Sequence, residues 1–279
     1  MKKNSKHIKE NFISYSIITI ASVLFLFPFF FMISTSFKNV QQIYEFPPRL
    51  IPDPFVLDWY VNLFKGSSIF HIYYFNSVYI AVIVSVAACI FGSLAGYSFA
   101  KLHFKFKSAL FLLLLSSMMI SQEAILVPTY IIMAKLGWVN THLPLIIPSI
   151  FGAGGIFGMF LMRQFYLNIP DDLAHAAKID GCGPLRTYVM IMLPISQNLL
   201  ATVFLLTFLA NWDDLITPLI YLNDKMLFTL PLAISLLNST NEDWTYQMAA
   251  ACLATLPVLV VFLFSQRWLV NSITMSGIK

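Results

Sequence analysis

Five residues in otherwise apolar segments have the side chains best suited to bind a polar solute. They are Glu123, Asn211, Trp212, Asp213 and Asp214. Each carboxylate would cost roughly 2.5 to 3.5 kcal/mol at the centre of a membrane, so it should face a cavity or a partner. A carboxylate beside an indole ring suits a sugar, because the acid accepts hydrogen bonds from hydroxyl groups and the ring covers the apolar face of the sugar.

The same residues also have purely structural alternatives. Asp213 and Asp214 lie about 100° apart on a helix and cannot point at one target. Both fit equally well at the outer end of a membrane span. Glu123 can satisfy backbone groups that are freed ahead of Pro128.

Nothing else in the sequence indicates catalysis or metal binding. The three cysteines lack the spacing of a metal site or a disulfide framework, and the five histidines form no HExxH pattern. Neither a GxSxG nor a GxxxxGK[ST] motif is present. We therefore predict no catalytic residue, no metal and no cofactor in this chain. If ATP drives its activity, another subunit must bind the nucleotide.

The composition predicts the solvent that surrounds these residues. Hydrophobic residues make up 58% of the chain and charged residues 11%, against roughly a quarter charged in soluble proteins. Because about 20 apolar residues cross a bilayer as a helix, the sequence predicts an all-α membrane protein, a bundle of six transmembrane helices in a single domain. The predicted spans are 12–34, 73–98, 107–131, 143–164, 199–222 and 248–270.

The distribution of lysine and arginine predicts the orientation of the bundle. With the amino terminus inside, twelve of these cations, including Lys279, fall on the inner side and five on the outer side. This positive-inside bias predicts a multi-pass protein with both termini in the cytoplasm and an extracellular loop at 35–72, where Trp59, Tyr60 and Phe64 suit a short interfacial helix. The net charge of +4 is accounted for by topology and lipid headgroups, so it gives no reason to expect nucleic acid.

A polar loop at 169–198 interrupts the apolar pattern and faces the cytoplasm in this topology. Pro170 suits the first turn of a helix, Asp171 and Asp172 complement its positive end, and Gly181 suits a left-handed stop. A helix of about ten residues is implied. A tight turn containing Gly183 then precedes a second helix that opens at Pro184. By helical spacing, one face of the first helix carries Leu173, Ala176, Ala177 and Asp180.

The residues of the polar loop leave two interpretations open. An amphipathic cytoplasmic segment can rest on the bilayer, but that reading predicts lysine and arginine on its polar face. The first turn instead carries Asp171 and Asp172 next to an anionic leaflet. The alternative is that the loop fits into another protein.

The polar loop resembles the EAA signature of ABC importer permeases. The matching residues are His175-Ala-Ala-Lys-Ile-Asp180-Gly181, followed by Leu193-Pro194. Two positions depart from the pattern: His175 replaces a glutamate, and Asn198 replaces a frequent proline. Other segments resemble the carbohydrate-uptake branch, which includes the maltose system; these are Thr35-Ser-Phe-Lys38, Phe75-Asn-Ser77, Ala95–Lys101, Leu136-Gly137, Asn211-Trp-Asp213 and Gln266–Leu269.

This resemblance covers nearly the whole chain and implies a type I importer permease of the bacterial cytoplasmic membrane. Its implied partners are a second, similar permease, a cytoplasmic ATPase dimer that uses ATP and Mg, and an extracellular binding protein. The implied ATPase-docking residues are Asp172, Leu173, His175, Ala176, Ala177, Asp180, Gly181, Gly183, Leu193 and Pro194. The alternative is a stand-alone secondary transporter or channel in which Glu123 or the two aspartates carry ions or protons.

Internal glycines predict close helix packing in the bundle. Gly92 and Gly96 form a small-xxx-small pair, the spacing that lets two helix backbones approach closely.

Overall fold

The computed structural model describes residues 2–65, 69–239 and 244–276. It divides into one unit of Met1–Ile69 with Ile234–Thr255 and a second unit of Phe70–Ala233 with Leu256–Lys279. Lys279, which contributes to the predicted charge bias, and residues 66–68 of the predicted extracellular loop lie outside the described residues.

The described residues are helical with short connections and contain no strand, as predicted. The α-helices are α1 (Lys2–Ser36), α2 (Val40–Ile43), α3 (Asp58–Phe64), α4 (Phe70–Lys101), α5 (Lys107–Ser117), α6 (Leu126–Lys135), α7 (Leu143–Phe151), α8 (Ala153–Leu167), α9 (Asp171–Ile179), α10 (Pro184–Thr187), α11 (Leu193–Ile195), α12 (Gln197–Trp212), α13 (Ile216–Tyr221), α14 (Leu230–Ser239) and α15 (Trp244–Ser276). A π-turn spans Tyr188–Met192, and a 3-10 turn spans Lys225–Leu227.

The described residues contain four helical segments long and apolar enough to cross a membrane. These are Ser14–Ser36, Phe70–Lys101, Leu143–Leu167 and Trp244–Trp268, and a fifth results if the bent pair Pro184–Ile195 and Gln197–Trp212 counts as one span. Four of the predicted spans fall on these four segments. The predicted count of six spans is not confirmed.

The predicted span at 107–131 is broken between α5 and α6. Ser116 and Ser117 donate their hydroxyl groups to the carbonyls of Leu113 and Leu114, a local bonding pattern that competes with helix geometry. Pro128, in the first turn of α6, lacks a backbone donor. Helix α5 therefore stops at Ser117 and α6 begins only at Leu126.

The predicted span at 199–222 is also interrupted, after Trp212. The Oδ1 of Asp214 accepts a hydrogen bond from the backbone N–H of Thr217 at 3.1 Å. This contact satisfies a backbone donor in the first turn of α13, which favours a separate short helix over an extension of α12.

Helix α4 is the central element of the second unit and packs against α7, α8 and α12. The glycine pair lies where α4 meets α8: a Cβ atom on Gly92 would lie 3.2 Å from the backbone nitrogen of Met159. A Cβ atom on Gly96 would lie 2.7 Å from the Cβ of Met162 and 2.8 Å from the backbone nitrogen of Arg163. The prediction of close helix packing at these glycines is therefore confirmed.

In the first unit, the predicted short helix with Trp59 and Tyr60 forms as α3. Its aromatic side chains bond to their own unit: Trp59 Nε1 donates to the carbonyl of Lys38 at 2.8 Å, and the Tyr60 hydroxyl lies 2.8 Å from Ser36 Oγ. Burial raises the pKa of Tyr60 to about 12, although the Ser36 hydrogen bond acts in the opposite direction. These contacts hold α3 against the end of α1 and the segment that follows it.

Candidate docking site on the polar loop

The first half of the polar loop is α9, which closes with a glycine-dependent hydrogen-bond pattern. Gly181 adopts φ +79°, a backbone conformation that residues with a Cβ rarely take. Its N–H bonds the carbonyl of Lys178 at 3.1 Å, and the N–H of Cys182 bonds the carbonyl of Ala177 at 2.9 Å. These are the two bonds of a Schellman motif, so the predicted stop at Gly181 is confirmed.

The second half of the polar loop is helical but irregular. After α10, the N–H of Leu193 bonds the carbonyl of Tyr188, five residues back, which makes the π-turn. Pro194 follows and lacks a donor, which favours such a local change of hydrogen-bond register. The segment Pro184–Ile195 then meets α12 at a bend of 80°.

The inner side of the polar loop packs onto the transmembrane helices. Ile169, Tyr188 and Met192 are buried in one cluster with side chains of α4, α8 and α12: Tyr97, Met162, Tyr166 and Val203. The Tyr188 hydroxyl lies 2.6 Å from Ser93 Oγ, deep in α4. Movement of the loop is thereby tied to these helices.

The start of the polar loop is held by a buried cation at the end of α4. Lys101 Nζ donates to the carbonyl of Ile169 and to Oδ1 of Asp171, both at 2.5 Å, and the Lys101 side chain is 7% exposed. The hydrogen bond and positive charge of Lys101 hold the pKa of Asp171 below its usual value of 3.8. The ionised carboxylate also complements the positive end of α9.

The exposed side of the polar loop, opposite the side that packs on the transmembrane helices and called its outer side below, presents apolar side chains. Ile179 is 86% exposed and Leu185 is 65% exposed, and Leu173, Val189 and Met190 are exposed as well. Several apolar side chains grouped on one surface are typical of a contact with a partner or a membrane. Sequence reasoning did not include Ile179 and Leu185 among the docking residues; the signal available was an apolar residue on either side of the Gly181 turn.

Most of the residues predicted to dock are exposed, but two are not. Asp172, Leu173, His175, Ala176, Asp180, Gly181, Gly183 and Pro194 are exposed. Ala177 is 3% exposed and Leu193 is half-buried. Ala177 therefore packs within this chain, whereas Leu173, Ala176 and Asp180 of the face predicted from helical spacing are exposed.

The predicted sugar-binding residues of α12 lie together at its end, but they are engaged locally. Trp212 is 3% exposed and its ring stacks on Phe208, with 5.6 Å between centroids. Asn211 Nδ2 donates to the carbonyl of Thr207 at 2.8 Å. Asp214 accepts a hydrogen bond from the first turn of α13, as described above, whereas Asp213 is exposed. Of this group, Asp213 has the most accessible polar side chain.

Glu123 lies in the non-helical stretch between α5 and α6. Its described polar contacts are local, to its own backbone and to Ser121. Within the described residues no group of three or more histidine, cysteine or acidic side chains is arranged to hold a metal ion.

The fold and the polar loop define a membrane-embedded transport component. Residues 88–275 match the family described as binding-protein-dependent transport system inner membrane component, and the chain belongs to this family. This protein is therefore a multi-pass transport permease.

Similar proteins support this family and its fold. The chain is 31% identical to the arabinooligosaccharides transport system permease protein AraQ of Bacillus subtilis over 92% of each chain. It is 29% identical to the sn-glycerol-3-phosphate transport system permease protein UgpE of Yersinia enterocolitica over 91% of this chain and 92% of that one. A crystal structure of a bacterial ABC transporter involved in alginate import shares the fold, with a TM-score of 0.80 at 19% identity over 93% of this chain and 96% of that chain.

Proposed function

We propose that this chain is a permease subunit of an ATP-driven sugar importer. It forms half of the translocation pathway, together with a second, similar permease. A separate ATPase dimer, which uses ATP and Mg, docks on the polar loop, and an extracellular binding protein delivers the solute. The names of the relatives support a carbohydrate or a related solute: one carries arabinooligosaccharides and another glycerol-3-phosphate.

One observation carries the coupling role: the polar loop has two distinct sides. Its inner side is fixed to α4, α8 and α12 through Tyr188, Met192 and Lys101. Its outer side leaves Ile179 and Leu185 exposed. A partner that binds the outer side of the polar loop and moves would therefore move the transmembrane helices with it.

In this proposal His175 replaces the glutamate of the family pattern. It is exposed on α9, one helical turn after Asp171. An imidazole can donate and accept hydrogen bonds without requiring the arginine or lysine that a carboxylate would prefer. The cognate ATPase should then offer His175 a hydrogen-bonding group rather than a cation.

The proposed topology places both termini and the polar loop in the cytoplasm. It rests on the positive-inside bias of the sequence. The membrane is then the bacterial cytoplasmic membrane.

The proposal is tested by coexpressing the chain with its genomic neighbours and purifying the complex. The wild-type chain should copurify with an ATPase, and uptake should stop when vanadate inhibits ATP hydrolysis. Uptake that continues in vanadate by a chain without any ATPase would instead favour a stand-alone transporter.

A matched pair of glycine variants tests the docking loop itself. Gly181→Val and Gly137→Val place a β-branched residue at φ +79° and +71° respectively, and neither Cβ meets an atom within 4 Å. Both should carry a similar backbone cost, on the order of 1–3 kcal/mol. Only Gly181→Val should lower ATPase association and uptake, because only Gly181 closes α9. Equal losses of ATPase association and uptake in both variants would contradict the coupling role of the polar loop.

A further inference from the structure

A cluster of cations surrounds the short link from α4 to α5, at the same end of the bundle as the polar loop. It consists of Lys101, Lys105, Lys107 and Arg163, and we refer to it as the basic cluster. Among the described residues, only Lys101 of these four forms an ion pair, with Asp171. Three positive charges are thus left without a carboxylate.

Two of these cations are held in place by carbonyls at the end of α4 and at the residue that follows it. Lys107 Nζ donates to the carbonyls of Ala100 at 3.2 Å and Leu102 at 2.9 Å. Arg163 Nε donates to the carbonyl of Phe99 at 3.2 Å. Carbonyls at a helix end have no partner within the helix, so these bonds satisfy them and fix the cations. The positive charge is therefore preorganised and does not sit on freely moving side chains.

The guanidinium of Arg163 is further positioned by an aromatic ring. Its Cζ lies 4.0 Å from the centroid of Phe111 on α5, which is cation–π geometry. The only hydrogen bond from Arg163 to a described residue uses Nε. Its two Nη groups provide the forked donors that match phosphate oxygens.

Aromatic side chains flank the exposed cation of this link. Phe104 and Phe106 are both exposed, the latter by 77%, and Lys105 is exposed between them. Phe106 is the N-cap residue of α5, with φ +61°. Aromatic rings interleaved with cations suit the depth at which acyl chains meet headgroups. A soluble anion would contact the cations, but it has no apolar part that would contact the aromatic rings.

We propose that the basic cluster binds the phosphate headgroup of an anionic phospholipid in the cytoplasmic leaflet. Arg163 and Lys105 contact the phosphate, and Phe104 and Phe106 lie against the glycerol and the upper acyl chains. Uncompensated positive charge favours an anionic lipid over a zwitterionic one, as in other basic pockets between transmembrane helices. The site rests on the proposed topology, because it requires the α4–α5 link to face the cytoplasm.

The test uses the purified transporter complex in nanodiscs and native mass spectrometry of the lipids that it retains. Discs contain phosphatidylglycerol and phosphatidylcholine in equal amounts, and the wild type should retain the anionic lipid preferentially. Lys105→Gln should lower this retention about fivefold, since each cation near an anionic surface contributes about that factor. Lys105 is exposed and makes no described hydrogen bond, so this variant should fold.

Two further variants separate the site from general charge and from folding. Lys135→Gln removes an exposed cation from α6, on the side predicted to be outer, and should leave retention unchanged. Arg163→Lys keeps the charge but loses the forked donors, so it should show an intermediate loss. Equal retention of both lipids by the wild type, or an equal loss in Lys135→Gln, would overturn the site.

Three outcomes would contradict the lipid site or the topology on which it rests. If millimolar inorganic phosphate displaces the lipid completely, the cluster is a free-phosphate site and the lipid proposal fails. If Lys105→Gln lowers ATPase association but not lipid retention, the cluster contacts protein. The topology is tested separately from lipid retention. A membrane-impermeant maleimide that labels Lys105→Cys in right-side-out vesicles would show residue 105 on the extracellular side and contradict the proposed topology.

Discussion

Lys101 and Asp171 form an ion pair of 2.5 Å between Nζ and Oδ1 that joins the last residue of α4 to the first residue of α9. Seventy positions separate them in the sequence. Lys101 Nζ also donates to the carbonyl of Ile169, so one ammonium group holds both Ile169 and the first residue of α9. The central transmembrane helix is thereby bonded directly to the segment proposed to dock the ATPase.

Removing Lys101 should loosen the start of α9. In Lys101→Met, the carbonyl of Ile169 loses its described side-chain partner, which costs about 1–3 kcal/mol for a buried polar group. We expect faster amide hydrogen exchange in residues 171–179 than in the wild type, with α4 and α8 unchanged. Unaltered exchange in Lys101→Met would show that other contacts hold the loop.

Asp171 and Asp172 provide a matched pair that separates the bond from general charge. Both are exposed acids in the first turn of α9, but Lys101 bonds Asp171. Asp171→Asn should speed amide hydrogen exchange in residues 171–179 more than Asp172→Asn does, because Lys101 bonds Asp171. Identical exchange in the two variants would contradict the role of the pair.

The pH dependence of this contact follows from the depressed pKa of Asp171. Because the pKa in the folded state lies below 3.8, the stability that the ionised carboxylate contributes is present above that value and is lost as the pH falls below it. Hydrogen exchange in α9, corrected for its intrinsic pH dependence, should thus stay constant between about pH 5 and 8. A transition in wild-type α9 near neutral pH that is absent from Asp171→Asn would contradict this assignment.

The close contact between α4 and α8 predicts a strong effect of one added methyl group. Gly96→Ala would place a Cβ 2.7 Å from Met162 Cβ and 2.8 Å from the backbone of Arg163, and such overpacking costs about 1–3 kcal/mol. Gly154→Ala is the control, since its Cβ would meet only the carbonyl oxygen of Ser149 at 3.5 Å. The thermal midpoint in detergent should fall for Gly96→Ala and not for Gly154→Ala.

The exposed isoleucine of α9 offers a direct test of the docking surface. Burying its side chain against a partner would contribute roughly 1.5–3 kcal/mol, so Ile179→Ser should weaken ATPase binding by about tenfold or more. Ile51→Ser is the matched control, because Ile51 is similarly exposed in the segment predicted to be extracellular. A binding assay with purified ATPase distinguishes them, and equal affinities for wild type and Ile179→Ser would exclude this residue from the interface.

Features set by neighbouring residues were predictable from the sequence, whereas features set by distant contacts were less so. The stop of α9 at Gly181 follows from local backbone geometry and was predicted correctly. The break after Ser117 was missed because the apolar content of 107–131 outweighed the local effect of its serines. The burial of Ala177 was missed because helical spacing identifies a face but does not show which side of it meets the bundle.

By itself, the sequence determined the membrane as solvent, the helical class and the polar loop with its glycine stop. Each of these depends on composition or on residues a few positions apart. Only the tertiary structure decided that Lys101 holds Asp171, that Trp212 stacks inside the bundle, and that Arg163 and Lys107 gather at the end of α4. Apolar helices of a membrane bundle carry little periodicity to reveal their buried faces, so the pairing of distant side chains emerges only when the helices pack.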